Sequence, residues 1–115
     1  MAEPAHPTKL VMMVVSHDDA DELMNTLAEQ QLPATKVGSS GGFLRRGNVT
    51  IFCGVPEADV DRVLAIVDEI CHVRREFVPV QALPFGDETL SAEPIEARVG
   101  GAIVFVLDVE RFRRI

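Results

Sequence analysis

Read for apolar spacing, the chain alternates between continuous apolar runs and helical stripes. Lys9 to Val15, KLVMMVV, is apolar almost without a break and predicts a buried strand. Ser16 and Asp19 in SHDD have the spacing of a capping box. Ala20, Leu23, Met24, Leu27 and Ala28 then fall on one face of a helix. Pro33 follows that helix, and a short strand is expected over residues 35–39. VTIFCGV, Val49 to Val55, has the β-branched and aromatic content of another strand. Val60, Val63, Leu64, Val67, Ile70 and Cys71 mark a second helix. Its start carries Glu57, Asp59 and Asp61, and its end is expected at His72, Arg74 and Arg75, as the helix dipole favours. From Phe77 to Pro94 the periodicity is lost and prolines recur, which predicts a long irregular excursion. Glu96 to Val109 predicts one last strand, with Gly100 and Gly101 marking a bulge or a close backbone approach.

The order β-α-β-β-α-β is that of the ferredoxin-like split βαβ unit, an α+β fold. Two helices cover one face of a four-stranded sheet. The runs KLVMMVV, VTIFCGV and AIVFVL are nevertheless apolar at successive positions, so both faces of the sheet call for cover. Further copies of the chain are the economical cover, and a homo-oligomer is expected.

A length of 115 residues suits one domain with a modest core. We expect a flexible lead-in over residues 1–8 and a single domain over 9–115. The N-terminal residues have no charged-then-apolar export pattern, and no apolar run is long enough to span a bilayer. Cys53 and Cys71 have neither metal nor disulfide-framework spacing, and a cytoplasmic location is expected. A formal net charge of -7 argues against binding nucleic-acid polymers or anionic membranes. That charge is unevenly placed. Gln31 to Val55 holds no Asp or Glu but does hold Lys36, Arg45 and Arg46. This local basic island suits a small anionic ligand.

The island contains TKVGSSGGFLRRGN, Thr35 to Asn48, with more glycine than a turn requires. Gly38 to Gly42 matches the G-x-S-x-G hydrolase pattern, but here the pattern leads into a strand and not a helix. His6, His17 and His72 lie in the lead-in and at two helix termini, which is no catalytic arrangement. Neither standard nucleotide fingerprint is present, no metal-ligand spacing occurs, and a non-enzymatic role is expected. Two readings of the segment stay open on composition. It is a flexible hairpin loop with Phe43 and Leu44 in the core and arginines in solvent. Or it is a nucleotide pocket: glycine N–H groups for phosphate oxygens, Thr35 and Asn48 as hydrogen-bonding ends, Phe43 for base stacking, and arginines for charge.

ATKVGSSGGFLRRGNVTIFCGV, Ala34 to Val55, closely resembles the signature A-T-K-x-x-[ST]-[ST]-G-G-F-L-x-x-G-N-x-T-x-x-x-G-V of the PII-like cyclic-di-AMP receptors. The similarity extends through VDRVLAIVDEIC in the second helix and VGGAIVFVLDVERF near the end. The resemblance implies a PII-like homotrimer that binds cyclic-di-AMP in the clefts between subunits and signals to a downstream protein through its loops. An ATP-binding or other adenine-nucleotide-binding regulator of the PII type is the alternative. Relative to true PII proteins, such relatives have a short loop between the second and third strands and a long one before the last. By position, the ligand-binding residues it implies are Thr35, Gly42, Phe43, Leu44, Asn48, Gly54, Phe105 and Arg114. Two positions depart from many relatives: Pro33 stands where they have arginine, and Gln31 where they have asparagine.

Overall fold

The computed structural model describes residues 6–37, 47–78 and 95–115. The chain forms β1 (Lys9–Ser16), α1 (His17–Glu29), β2 (Ala34–Val37), β3 (Asn48–Val55), α2 (Val60–Cys71), β4 (Arg74–Val78), β5 (Ile95–Val99) and β6 (Ala102–Asp108). A single 3-10 turn, Glu57–Asp59, leads into α2. Four strands make one sheet in the order β2-β3-β1-β6, every neighbouring pair antiparallel. That is the ferredoxin-like order, a mixed α/β fold with an antiparallel sheet and two helices.

Alternation along the strands decides which residues meet the helices. Val11, Met13 and Val15 of β1 are at most 1% exposed, and in register with them stand Val49, Ile51 and Cys53 of β3. Ala20, Leu23 and Leu27 of α1 and Val63, Ile66, Val67 and Cys71 of α2 close over them as one core. Two assignments within the helical stripes change. Ala28 is exposed, and Ile66 is buried where no stripe position was expected. Just past α1, Gln31 takes a φ of +60° and the Leu32 N–H donates to the Leu27 carbonyl at 2.8 Å. Leu32 is thereby pulled into the core at 1% exposure.

Three further expectations are corrected. Ser16 does cap α1, its hydroxyl accepting from the Asp18 N–H at 3.3 Å, but Asp19 does not complete a capping box. Asp19 is 4% exposed, and its carboxylate is taken by Arg74. The second helix stops at Cys71, so Arg74 and Arg75 belong to β4 and not to a basic helix end. His72 alone remains at that end, its Nδ1 2.9 Å from the Glu69 carbonyl oxygen. The last predicted strand is two. Residues 95–99 turn away to pair with β4 as a separate two-stranded ribbon, and only β6 joins the main sheet. Part of the expected irregular excursion, Phe77 and Val78, thus lies in a strand, while residues 79–94 lie outside the described residues.

Gly100 and Gly101 make the break between β5 and β6, with φ of +80° and +88°. A Cβ on Gly100 would lie 2.5 Å from the Arg74 guanidinium and 2.7 Å from the His72 carbonyl oxygen, so a close approach holds here. At the other end of the molecule Thr8 is hydrogen-bonded on both sides. Its N–H donates to the Val55 carbonyl at 3.1 Å and its carbonyl accepts from the Val109 N–H at 3.0 Å. The His6 ring stands 5.6 Å from that of Phe112. The backbone hydrogen bonds of the lead-in to the body are at Thr8.

Candidate functional site

The expected site residues sort by strand parity. Register pairs Thr35 of β2 with Phe52 of β3, Phe52 with Met12 of β1, and Met12 with Phe105 of β6. Residues directly paired in a sheet project from the same face. Met13 on β1 is buried under the helices, so Met12 and its whole row face the other way. The same parity puts Asn48, Thr50 and Gly54 on this open face with Phe52. Thr35, Asn48, Gly54 and Phe105 thus lie on one surface, the one without helices.

Their spacing on that surface is uneven. Thr35 and Gly54 are diagonal neighbours, about 7–8 Å apart for such a pair. Phe105 lies three strands from Thr35, about 14 Å at the usual strand spacing. Asn48 and Gly54 stand at opposite ends of β3, about 20 Å apart at the usual rise. The fold brings Thr35 and Gly54 together and leaves Asn48 and Phe105 at separate margins. Gly42, Phe43 and Leu44, together with Arg45 and Arg46, lie outside the described residues. Arg114 is exposed in the tail beyond β6, and no hydrogen bond or ion pair among the described residues joins it to the others.

The open face has two characters. On β1 and β6 it is apolar: Leu10, Met12 and Val14 beside Ile103, Phe105 and Leu107, the last three 60%, 50% and 45% exposed. On β3 and β2 it mixes Asn48, Thr50, Gly54 and Thr35 with Phe52 and Val37. The expectation that VTIFCGV is apolar on both faces holds only for its helix side. A Cβ on Gly54 would lie 3.3 Å from Pro7, so the lead-in borders this corner. Phe52 and Thr50 were absent from the sequence-derived set. The signal for them is the period-two alternation of NVTIFCGV, which groups Asn48, Thr50, Phe52 and Gly54.

The surface can supply hydroxyl and amide hydrogen bonds, bare main chain and aromatic faces. Among the described residues it presents no lysine or arginine. Lys36, part of the basic island, points to the helix side and pairs with Asp21 at 3.6 Å. Lys9 also belongs to the helix-side row and pairs with Asp108 at the sheet end. That contact, a hydrogen bond first and a charge pair second, raises the Lys9 pKa and lowers that of Asp108. Both cysteines are on the helix side, where burial pushes each thiol up to about 11. Among the described residues no group of His, Cys, Asp or Glu could hold a metal ion, and no helix is long and apolar enough to cross a membrane.

Comparison with known proteins places the chain in a family. The family model for cyclic-di-AMP receptors matches residues 8–115. A protein of unknown function from Pediococcus pentosaceus is 39% identical, with a TM-score of 0.74, over 96% of this chain and 100% of that one. CPII of Thiomonas intermedia K12, a nitrogen regulatory PII-like protein whose structure holds ADP, AMP and bicarbonate, shares the fold. It is 18% identical, with a TM-score of 0.56, over 96% of this chain and 98% of that one. The chain belongs to the cyclic-di-AMP receptor family and has a PII-like fold.

Proposed function

We propose that this member of the cyclic-di-AMP receptor family is a non-enzymatic signalling receptor, working as a homotrimer with cyclic-di-AMP bound between subunits. The observation that carries the reading is the common placement of Thr35, Asn48, Gly54 and Phe105 on the open sheet face. These residues are too widely spread for one small ligand on one chain. A second chain laid against the apolar β1–β6 half would bring the separated margins of two copies to one cleft. The ligand has two adenines and two phosphates. Phe43, and the main chain around Gly42, Leu44 and Gly54, serve the bases and phosphate oxygens. Thr35 and Asn48 fix orientation by hydrogen bonds. Among the described residues the face offers no cation of its own, so phosphate charge is assigned to Arg45, Arg46 or Arg114, in place of the arginine that Pro33 replaces. Ligand binding reorganises the loops, and a downstream protein reads them. A cytoplasmic location fits a receptor of this kind.

The second reading is a PII-type regulator of an enzyme or transporter that responds to ATP or another adenine nucleotide. It is favoured by the bound ADP and AMP of the fold relative CPII. Calorimetric titration with cyclic-di-AMP, cyclic-di-GMP and ATP separates the two. The receptor reading expects cyclic-di-AMP to bind tightest and cyclic-di-GMP to bind weakly or not at all. Tighter binding of ATP supports the second reading, and no binding of any adenine nucleotide overturns both.

A further inference from the structure

We infer that the first turns of α1 couple β2 and the start of β3 to the β4–β5 ribbon, with the Asp19–Arg74 ion pair as the transmitting contact. The inference rests on the receptor reading above, and it names the route by which that site reaches a second element.

Three attachments meet within five residues of α1. The His17 N–H donates to the Gly47 carbonyl at 2.6 Å, fixing the exit of the Thr35–Asn48 segment. The Asp21 carboxylate lies 3.6 Å from the Lys36 ammonium, fixing its entry on β2. The Asp19 carboxylate receives the Arg74 guanidinium at 2.7 and 3.3 Å through two different nitrogens, fixing the base of β4. Successive helical residues are rotated by about 100°, so Asp19 and Asp21 project from well-separated sides of one turn. The turn therefore meets β2 and the residue before β3 on one side and the ribbon on another. Hydrogen bonds within the helix make it move as a unit.

Among the described residues the ribbon has few other restraints. Its strands pair with each other and not with the main sheet. It joins the body through the short links Cys71–Arg74 and Val99–Ala102, the second containing both positive-φ glycines. An isolated two-stranded ribbon has little stability of its own. Its setting is accordingly governed by what grips its base. Arg74 is that grip: beyond Asp19 it donates to the His72 carbonyl and the Glu76 carboxylate, both at 3.2 Å. Gly100 leaves the space the guanidinium occupies. Asp19 is almost wholly buried, so a shift of α1 relative to β4 cannot leave its carboxylate unpaired without a large penalty. The ribbon must follow the helix.

Hydrogen exchange on the full-length protein, with and without saturating cyclic-di-AMP, tests this. In wild type the ligand changes exchange at 74–78 and 95–99 as well as at 34–37 and 47–50. In Asp19→Asn, ligand still changes exchange at 47–50, but the change at the ribbon is lost. Arg74→Lys, which keeps the charge and loses the two-pronged geometry, gives an intermediate ribbon response; being at a partly exposed site, it serves where Asp19→Asn folds poorly. A ribbon response of wild-type size in both variants overturns the coupling. So does a wild-type ribbon that ignores bound ligand while 47–50 responds. Absence of any cyclic-di-AMP binding to wild type overturns the receptor reading, and the coupling with it.

Discussion

The two faces of the main sheet are made from alternate residues of the same strands, yet they follow different rules. On the helix side every position of β1 and β3 from Val11 to Val15 and Val49 to Val55 is Val, Met, Ile or Cys and nearly inaccessible. On the open side the same strands offer Leu10, Met12 and Val14, then Asn48, Thr50, Phe52 and Gly54. Two local helices complete the first face within one chain. The second is left incomplete, apolar at one margin and polar at the other. The contrast teaches that the closed face is completed by folding alone, while among the described residues no helix of its own chain covers the open face. Substitutions should therefore separate cleanly into those that change stability and those that change assembly or binding.

The largest effect is expected on the closed face. Met13→Ala removes a fully buried side chain from the centre of the core and should lower stability by about 2–5 kcal/mol, read by denaturant melting. Cyclic-di-AMP affinity of the folded fraction should hold. A matched change on the open face, Phe105→Asp, should leave the circular-dichroism spectrum intact and shift light scattering from trimer to monomer. If Phe105→Asp instead unfolds the chain, the open face is part of the folding core and the division fails.

Binding substitutions come next. Phe43→Ala should weaken cyclic-di-AMP by about 1–3 kcal/mol, ten- to a hundredfold, with melting temperature unchanged. The competing reading of Phe43 as a core aromatic expects the opposite pair of results, a melting temperature lower by several degrees and no binding even in wild type. Thr35→Val keeps the shape of an exposed strand position and removes one hydroxyl. Its expected cost, on titration calorimetry, is about 0.5–1.5 kcal/mol of affinity.

How much of this was legible in the sequence follows from the range of the interactions. The strand and helix positions were readable because burial imposes a local period on each element, and the four-stranded topology followed from their order. The split of the last strand was not. IEARV and AIVFVLD are both good strand sequences, and only the pair of positive-φ glycines between them decides that they serve different sheets. Arg74 read as a helix end because its partner, Asp19, is fifty-five residues away, and a buried ion pair leaves no periodic trace. The same limit explains the site. The family signature supplied Thr35, Asn48 and Gly54, but that they share one face with Phe105 is a fact of register between β2, β3, β1 and β6. Phe52 and Thr50 were within reach of alternation alone once β3 was aligned.

The smallest effect sharpens the comparison from inside the closed face. Cys53 and Cys71 are 0% and 1% exposed, and burial is the main reason each thiol is pushed up to about 11. For Cys71 the nearby Asp19 carboxylate adds to the rise and Arg74 opposes it. A thiol must be both ionised and reachable to react, so at pH 8 neither should be labelled by a thiol reagent in the native protein, and both should react on unfolding. The sign of the linked pH dependence is fixed by the same shift. Between about pH 9 and pH 11 the unfolded chain loses thiol protons that the folded chain keeps, so the unfolded state gains and stability falls as pH rises through that window. Cys53→Ala or Cys71→Ala should flatten that fall in proportion to the thiols removed. In Asp19→Asn, Cys71 alone should become easier to ionise, because the carboxylate that raises its pKa is gone. Rapid labelling of either cysteine at pH 8, under conditions where the melting curve shows a folded protein, would mean that the helix-covered face opens as readily as the bare one.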